Sequence, residues 1–107
     1  MSKVSKQVWT NLNLLRRLNG EDDFDFIMDS QDVINYLLKE HSFYVSILPE
    51  EDFNNWVGYF FVESSDEGMV SGTKRFKGPY NEVVELVLLE TINIISNYYE
   101  QEVKDES

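Results

Sequence analysis

The spacing of the apolar residues changes twice along this chain, and this change limits which elements it can form. Near the start, apolar residues recur every three or four positions, as on one face of a helix. The pattern predicts an amphipathic helix over about residues 3–18, ended by Asn19-Gly20. A second stretch of the same period follows Asp29, a suitable N-cap, and predicts a helix that ends near His41.

From Phe43 onward the period becomes two. Phe43, Val45 and Ile47 alternate with Tyr44 and Ser46, which is typical of a strand. Residues 55–63 and 69–77 predict two more strands, and the short connections between the strands favour antiparallel pairing. The helical period then returns, and Pro79 suits the first turn of a long helix that continues to about residue 102.

The element order α-α-β-β-β-α predicts an α+β fold, in which helices cover both faces of a three-stranded antiparallel sheet as an ABA-type sandwich. The 107 residues fit one domain. We expect an N-terminal helix in 1–19, an acidic connection in 20–28, an α-β-β-β-α body in 29–101 and a frayed acidic tail in 102–107. The apolar surface of the last helix is broader than one sheet face needs. We expect the additional apolar residues to cover another helix or to form a dimer interface.

The net charge of −11 constrains the partners of this chain. Such a surface repels nucleic acid and anionic membranes and attracts basic proteins. The sequence contains no cysteine, no apolar run long enough to span a bilayer and no signal-peptide pattern at its start. These features favour the cytoplasm, where a small domain does without disulfides.

The acids are grouped into clusters, and these clusters are the candidate partner-binding residues. They are Glu21, Asp22, Asp23 and Asp25; Glu50, Glu51 and Asp52; and Glu63, Asp66 and Glu67. Carboxylates on a rigid surface can imitate the phosphates of a duplex, so a groove that attracts phosphate would accept them. The alternative is that the acids serve solubility only.

The sequence predicts no catalytic, metal or cofactor site, and we expect the protein not to be an enzyme. No motif places a nucleophilic side chain next to His41 and Glu40. We therefore expect His41 to stabilise the C-terminal end of its helix through its partial positive charge. The segment EDDFDFIMDSQD lacks the central glycine of a calcium loop. We expect its acids to point outward while Phe24 and Phe26 turn inward.

The aromatic residues predict core packing and interface anchors. Trp56, Tyr59, Phe60 and Phe61 are expected to pack in the core, because the acids around them oppose a base-stacking platform. The exposed anchors are expected near the chain ends: Trp9 and Tyr98 or Tyr99. The order α-β-β-β-α also matches double-stranded RNA-binding domains, but their lysines are missing before the last helix, so direct nucleic-acid binding is not expected.

Three segments together resemble the phage ABA-sandwich domain: MDSQDVINYLLKEHSFYVSI, NNWVGYFFVE and KGPYNEVVELVLLETINII. The resemblance covers roughly residues 28–95. It implies a helix, a strand, a tryptophan-led strand and a last helix, in a phage or prophage accessory protein without an assigned reaction. Val87, Leu88 and Leu89 stand where such domains commonly carry alanine and cysteine.

Charge and resemblance together predict a non-enzymatic protein that binds a basic host protein. The partner would be a nucleic-acid-binding factor, such as a CRISPR effector or a nuclease, inhibited by nucleic-acid mimicry. The alternative is a structural or assembly module that forms homo-oligomers through its C-terminal helix. In that case the charge keeps the protein soluble.

Overall fold

The computed structural model of the chain describes residues 3–51, 54–64, 68–71 and 74–105, with the backbone alone for 63–64, 68–71 and 101–105. The elements in chain order are α1 (Lys6–Leu18), α2 (Ser30–His41), β1 (Phe43–Pro49), β2 (Trp56–Ser64), β3 (Gly68–Ser71), β4 (Phe76–Gly78) and α3 (Tyr80–Asp105). The predicted α+β class and order of elements are confirmed. The last helix continues to Asp105 and so includes most of residues 102–107, the tail that was expected to fray.

The sheet is antiparallel, with β2 at its centre. β1 pairs along one edge of β2, while β3 and β4 both pair along the other edge. Phe61 lies opposite Ser71 of β3, and this register would place residue 74 opposite Gly58, where Phe76 of β4 is found instead. The two short strands therefore occupy the place of the predicted third strand, with a shift of two residues between them.

The helix ends follow from local residues. The Ser5 hydroxyl accepts a hydrogen bond of 3.2 Å from the Val8 N–H and so caps α1, and Gly20, at φ 78°, takes the left-handed conformation after its end. Asp29 occupies the N-cap position of α2, although its carboxylate makes no capping hydrogen bond. Ser42, at φ 60°, ends α2 and turns the chain directly into β1.

The three helices that the structure describes lie on one side of the sheet. Phe43, Val45 and Ile47 of β1 pack against a core cluster that α1, α2 and α3 share. On the other face, Tyr44 and Leu48 are exposed. Within the part of the chain that the structure describes, α1 contacts α3 but no strand. The expected cover on both faces is therefore not found among the described residues, because α1 packs on α3 instead of on the sheet.

The two apolar stripes of α3 explain this arrangement. One stripe, with Val83 and Val87, meets β2 at Gly58. The other stripe packs with the buried residues of α1 and α2; its members are Val84, Leu88, Ile92 and Ile95. The sequence predicted that the additional apolar residues of this helix either cover another helix or form a dimer interface. In the structure they cover other helices, α1 and α2.

We expect Gly58→Ala to destabilise the fold, because a Cβ atom there would lie 2.6 Å from Val83 Cγ1 and 3.4 Å from Val87 Cβ. Overpacking of this kind costs about 1–3 kcal/mol of unfolding free energy, measurable by urea denaturation. The double variant Gly58→Ala/Val83→Ala is the control, because the shorter side chain makes room for the new methyl group. If the loss of unfolding free energy in the double variant equals the sum of the losses in Gly58→Ala and Val83→Ala, this packing is contradicted.

Candidate functional site

The acidic connection, residues 20–28, runs back along α1 from its last turn toward its start, where the Val4 N–H donates a hydrogen bond of 3.1 Å to the Met28 carbonyl. The Glu21 N–H donates a hydrogen bond of 2.8 Å to the Arg16 carbonyl. Further along, the Phe24 N–H donates to Oδ1 of Asn13 over 3.0 Å, and Asn13 is buried in α1. A buried amide needs a hydrogen-bond partner, so Asn13 ties this segment firmly to the helix.

Arg16 is the central cation of this region. Its Nη1 lies 3.0 Å from the Glu21 carboxylate, and its Nε donates to the Asp22 carbonyl over 2.6 Å. The guanidinium also lies 3.9 Å from the centre of the Phe24 ring. Only 19% of the Arg16 side chain is exposed. Arg16 therefore binds the Glu21 carboxylate, the Asp22 carbonyl and the Phe24 ring at the same time.

Arg17 makes the second clasp, at the surface. Its Nε and Nη2 donate to the two carboxylate oxygens of Asp23 over 2.8 and 2.6 Å. The hydrogen bonds from Arg17 lower the pKa of Asp23 below its ordinary value. Two of the four predicted acids in this cluster, Glu21 and Asp23, are therefore neutralised by arginines of α1.

The other side of the acidic connection is open to solvent. Asp22 and Asp25 are exposed and form no ion pair within the described part of the chain. Phe24 turns inward as expected, with its ring between Trp9 and Tyr36 at centroid distances of 5.6 and 5.2 Å.

The expectation for Phe26 was wrong. Its side chain is 80% exposed, and that of the next residue, Ile27, is 46% exposed. The backbone bends at residues 25–26, which interrupts the alternation of an extended segment and turns Phe26 away from the core.

The second acidic cluster is also partly neutralised. Glu50 Oε1 lies 3.1 Å from Lys77 Nζ, whereas Glu51 is exposed. Asp52 lies outside the described residues. In the third cluster, the backbone of Glu63 belongs to β2 and its side chain is not described, and Asp66 and Glu67 lie outside the described residues.

Glu21 and Asp23 of the first cluster lie far from Glu50 of the second. α1 and α3 run parallel, since Ser5 and Val84 line one cleft while Leu18 and Asn97 line another. Glu21 and Asp23, at the last turn of α1, thus lie near the later part of α3, whereas Glu50 lies near its start. The rise of a helix separates these ends by about 25 Å, so these acids do not form one patch.

His41 lies in an aromatic cluster between Tyr36 and Tyr99, with ring centroids at 5.6 and 5.9 Å. Its Nδ1 is 3.4 Å from the Tyr99 hydroxyl, and its Nε2 is buried without a hydrogen-bond partner. Burial lowers the pKa of His41, against the opposing effect of Glu40 and Glu21. We had expected His41 to carry a partial positive charge at the end of α2. That expectation is corrected, because burial favours the neutral form of the ring.

The other aromatic predictions divide between the two sheet faces. Phe60 is buried and Trp56 packs on Tyr80, whereas Tyr59 and Phe61 project from the face without helices. The Arg75 guanidinium lies 5.0 Å from the centre of the Tyr59 ring.

The predicted anchors near the chain ends also divide. Trp9 is half-buried against Phe24, so the expectation of an exposed anchor was wrong for Trp9. Tyr98 is 61% exposed, as expected, whereas Tyr99 is half-buried beside His41.

The described residues contain no group of three His, Asp or Glu side chains that could hold a metal ion. Across the same ranges, every helix is too short or too polar to cross a membrane. A cleft of about 300 Å³ opens where the first turns of the helices meet, over Val8, Val84 and Leu88. Its rim carries both Lys3 and Glu85, so it favours neither sign of ligand charge.

No protein-family model, curated protein or solved structure matches this chain. The resemblance to the phage ABA-sandwich domain stays a prediction. The acidic connection is the strongest candidate site, because it combines a held backbone, unpaired carboxylates and an exposed aromatic ring. Composition indicated its acids, and no sequence signal distinguished exposed Phe26 from buried Phe24.

We expect Arg16→Ala to lower the unfolding free energy by about 2 kcal/mol, from the lost cation–π contact and charge-assisted hydrogen bonds. Arg17→Ala is the matched control, because its ion pair with Asp23 lies at the surface and contributes little. Chemical denaturation of both variants measures the difference. Equal losses would contradict the central position of Arg16.

We expect acidification to destabilise the fold through His41. Because the pKa of His41 is lower in the folded state than its ordinary value of 6.5, the unfolded chain takes up the proton more readily. The contribution of neutral His41 is complete above pH 6.5 and is lost as the pH falls below it. The variant His41→Phe keeps an aromatic ring there, so its unfolding free energy should fall less between pH 7.5 and 5.5. If the unfolding free energy falls equally with pH in the natural chain and in His41→Phe, His41 is not the cause of the acid destabilisation.

Proposed function

We propose that this chain is a non-enzymatic protein that binds a basic partner through its acidic connection. The observation that carries the proposal is Phe26, which is 80% exposed and follows the exposed, unpaired Asp25 in a segment that also exposes Asp22. Exposed aromatic rings are frequent anchors of protein interfaces, and an aromatic ring fully in water makes no contribution to the core.

The segment that presents Phe26 is organised before any partner binds. The bonds from Arg16, Arg17 and Asn13 hold the residues that precede it. A held segment loses little conformational entropy on binding, so more of the contact energy appears as affinity. Glu21 and Asp23 thus act as positioning residues, while Asp22 and Asp25 are left to attract the partner.

The chemistry of this surface fits a partner that binds nucleic acid. A nucleotide offers its protein an anionic group and an aromatic face, and grooves for single strands combine basic residues with stacking side chains. The carboxylates of Asp22 and Asp25 offer negative charge, and the ring of Phe26 offers an aromatic face. The net charge of −11 would accelerate the encounter with a basic groove.

This mode of binding suggests a role as a competitive inhibitor in the cytoplasm. A host nuclease or a CRISPR effector has the required basic groove, and the resemblance to a phage domain makes a phage or mobile-element origin part of the same proposal. The alternative, a homo-oligomer formed through α3, has less support because the chain itself covers both apolar stripes of that helix.

The test is capture of partners from a bacterial lysate at low salt, elution with duplex or single-stranded nucleic acid, and affinity measurement with the purified partner. We expect Phe26→Ser to weaken binding about tenfold, as the loss of an anchor residue does. We expect Asp22→Lys/Asp25→Lys to weaken binding most strongly at low salt. The control is Glu82→Lys/Glu100→Lys, which makes the same charge change at exposed positions of α3.

The outcomes separate the parts of this proposal. If Phe26→Ser binds like the natural chain, the acidic connection is not the contact surface. If the partner is recovered but nucleic acid does not displace it, the chain binds proteins without mimicry. If the control loses as much affinity as the Asp22/Asp25 variant, net charge rather than this surface determines binding.

A further inference from the structure

The outer edge of β1 is an unpaired strand edge. Among the described residues, β1 pairs with β2 only, so half of its backbone N–H and C=O groups face away from the sheet. Edge strands are usually protected by charges or by proline. β1, with the sequence FYVSILP, contains no charge, and its proline stands only at its end, at Pro49. In a chain of net charge −11, an uncharged strand lets two copies approach with little local repulsion.

The direction of the free backbone groups follows from two residues. The Glu50 N–H donates to the Asn55 carbonyl over 2.9 Å, so residue 50 faces the β2 side. Direction alternates along a strand, so residues 44, 46 and 48 also bond toward β2. Pro49 has no N–H to give and occupies an outward position, as proline in an edge strand does. The residues whose backbone faces outward are Phe43, Val45, Ile47 and Pro49.

We propose that two copies of this chain pair through β1, antiparallel about a twofold axis at Ser46. In this register all residues of both strands overlap. Val45 of each copy faces Ile47 of the other copy, and both have outward N–H and C=O groups to exchange. Other registers shorten the overlap. The pairing is isologous and closed, so it produces dimers and not fibres.

The side chains of β1 fit the same register. Tyr44 and Leu48, which are 38% and 50% exposed on the open face of the sheet, would lie opposite each other across the two strands. At the axis, Ser46 would meet its own copy in a pair without hydrogen bonds, where the strands approach most closely and a small side chain fits. No residue of the acidic connection takes part, so this inference is independent of the proposed function.

The test is sedimentation velocity of the full chain from micromolar to near-millimolar concentration. We expect a concentration-dependent dimer for the natural chain and for Ser46→Thr. Ser46→Glu and Ser46→Lys should each be monomeric, because two like charges would meet at the axis. An equimolar mixture of the two variants should dimerise again, a recovery that only direct contact between the two positions explains.

A second measurement does not depend on any variant. The amides of Val45 and Ile47 face outward, so their hydrogen exchange should slow as the concentration of the natural chain rises. A natural chain that stays monomeric at all concentrations would overturn the proposal, as would a dimer that Ser46→Glu leaves intact or a mixture that stays monomeric. A monomer that binds an added strand-forming peptide would assign the edge to another partner and overturn self-pairing.

Discussion

The close packing of α3 on β2 at Gly58 is the contact on which the rest of the structure depends. The missing side chain lets Val83 and Val87 approach the sheet directly, and this contact orients α3. Once one stripe of α3 lies on the sheet, the other stripe points away from it and requires its own apolar cover. α1 and α2 provide that cover, which places all three helices on one side and leaves the other sheet face open.

The charge distribution is set more locally. Arg16 and Arg17 stand in the last turn of α1, and the turn at Gly20 brings Glu21 and Asp23 back beside them. Composition indicates the sign of the surface and the kind of partner it attracts. It does not show which carboxylates are neutralised by a neighbour, so Glu21, Asp23 and Glu50 look equivalent to Asp22 and Asp25 until the ion pairs are known.

Several elements could be predicted because their signals are local. The helical spacing of Val8, Leu12 and Leu15, the alternation in β1 and the stop at Gly20 all act over a few residues. The division of the last strand, the exposure of Phe26 and the burial of Trp9 depend on neighbours distant in sequence. Short-range patterns contain no information on those neighbours, so these three features could not be foreseen.

The sequence by itself determined the type and order of the elements, apart from the division of the last strand into β3 and β4, because apolar period, capping residues and turn residues act within one element. It also determined the sign of the surface charge. The tertiary structure alone decided which side of the sheet the helices cover, which acids remain unpaired and which aromatic ring projects into solvent. The side that the helices cover depends on how the sheet and α1 share the two stripes of α3. The other two features depend on the contacts of the acidic connection with side chains of α1 and α2.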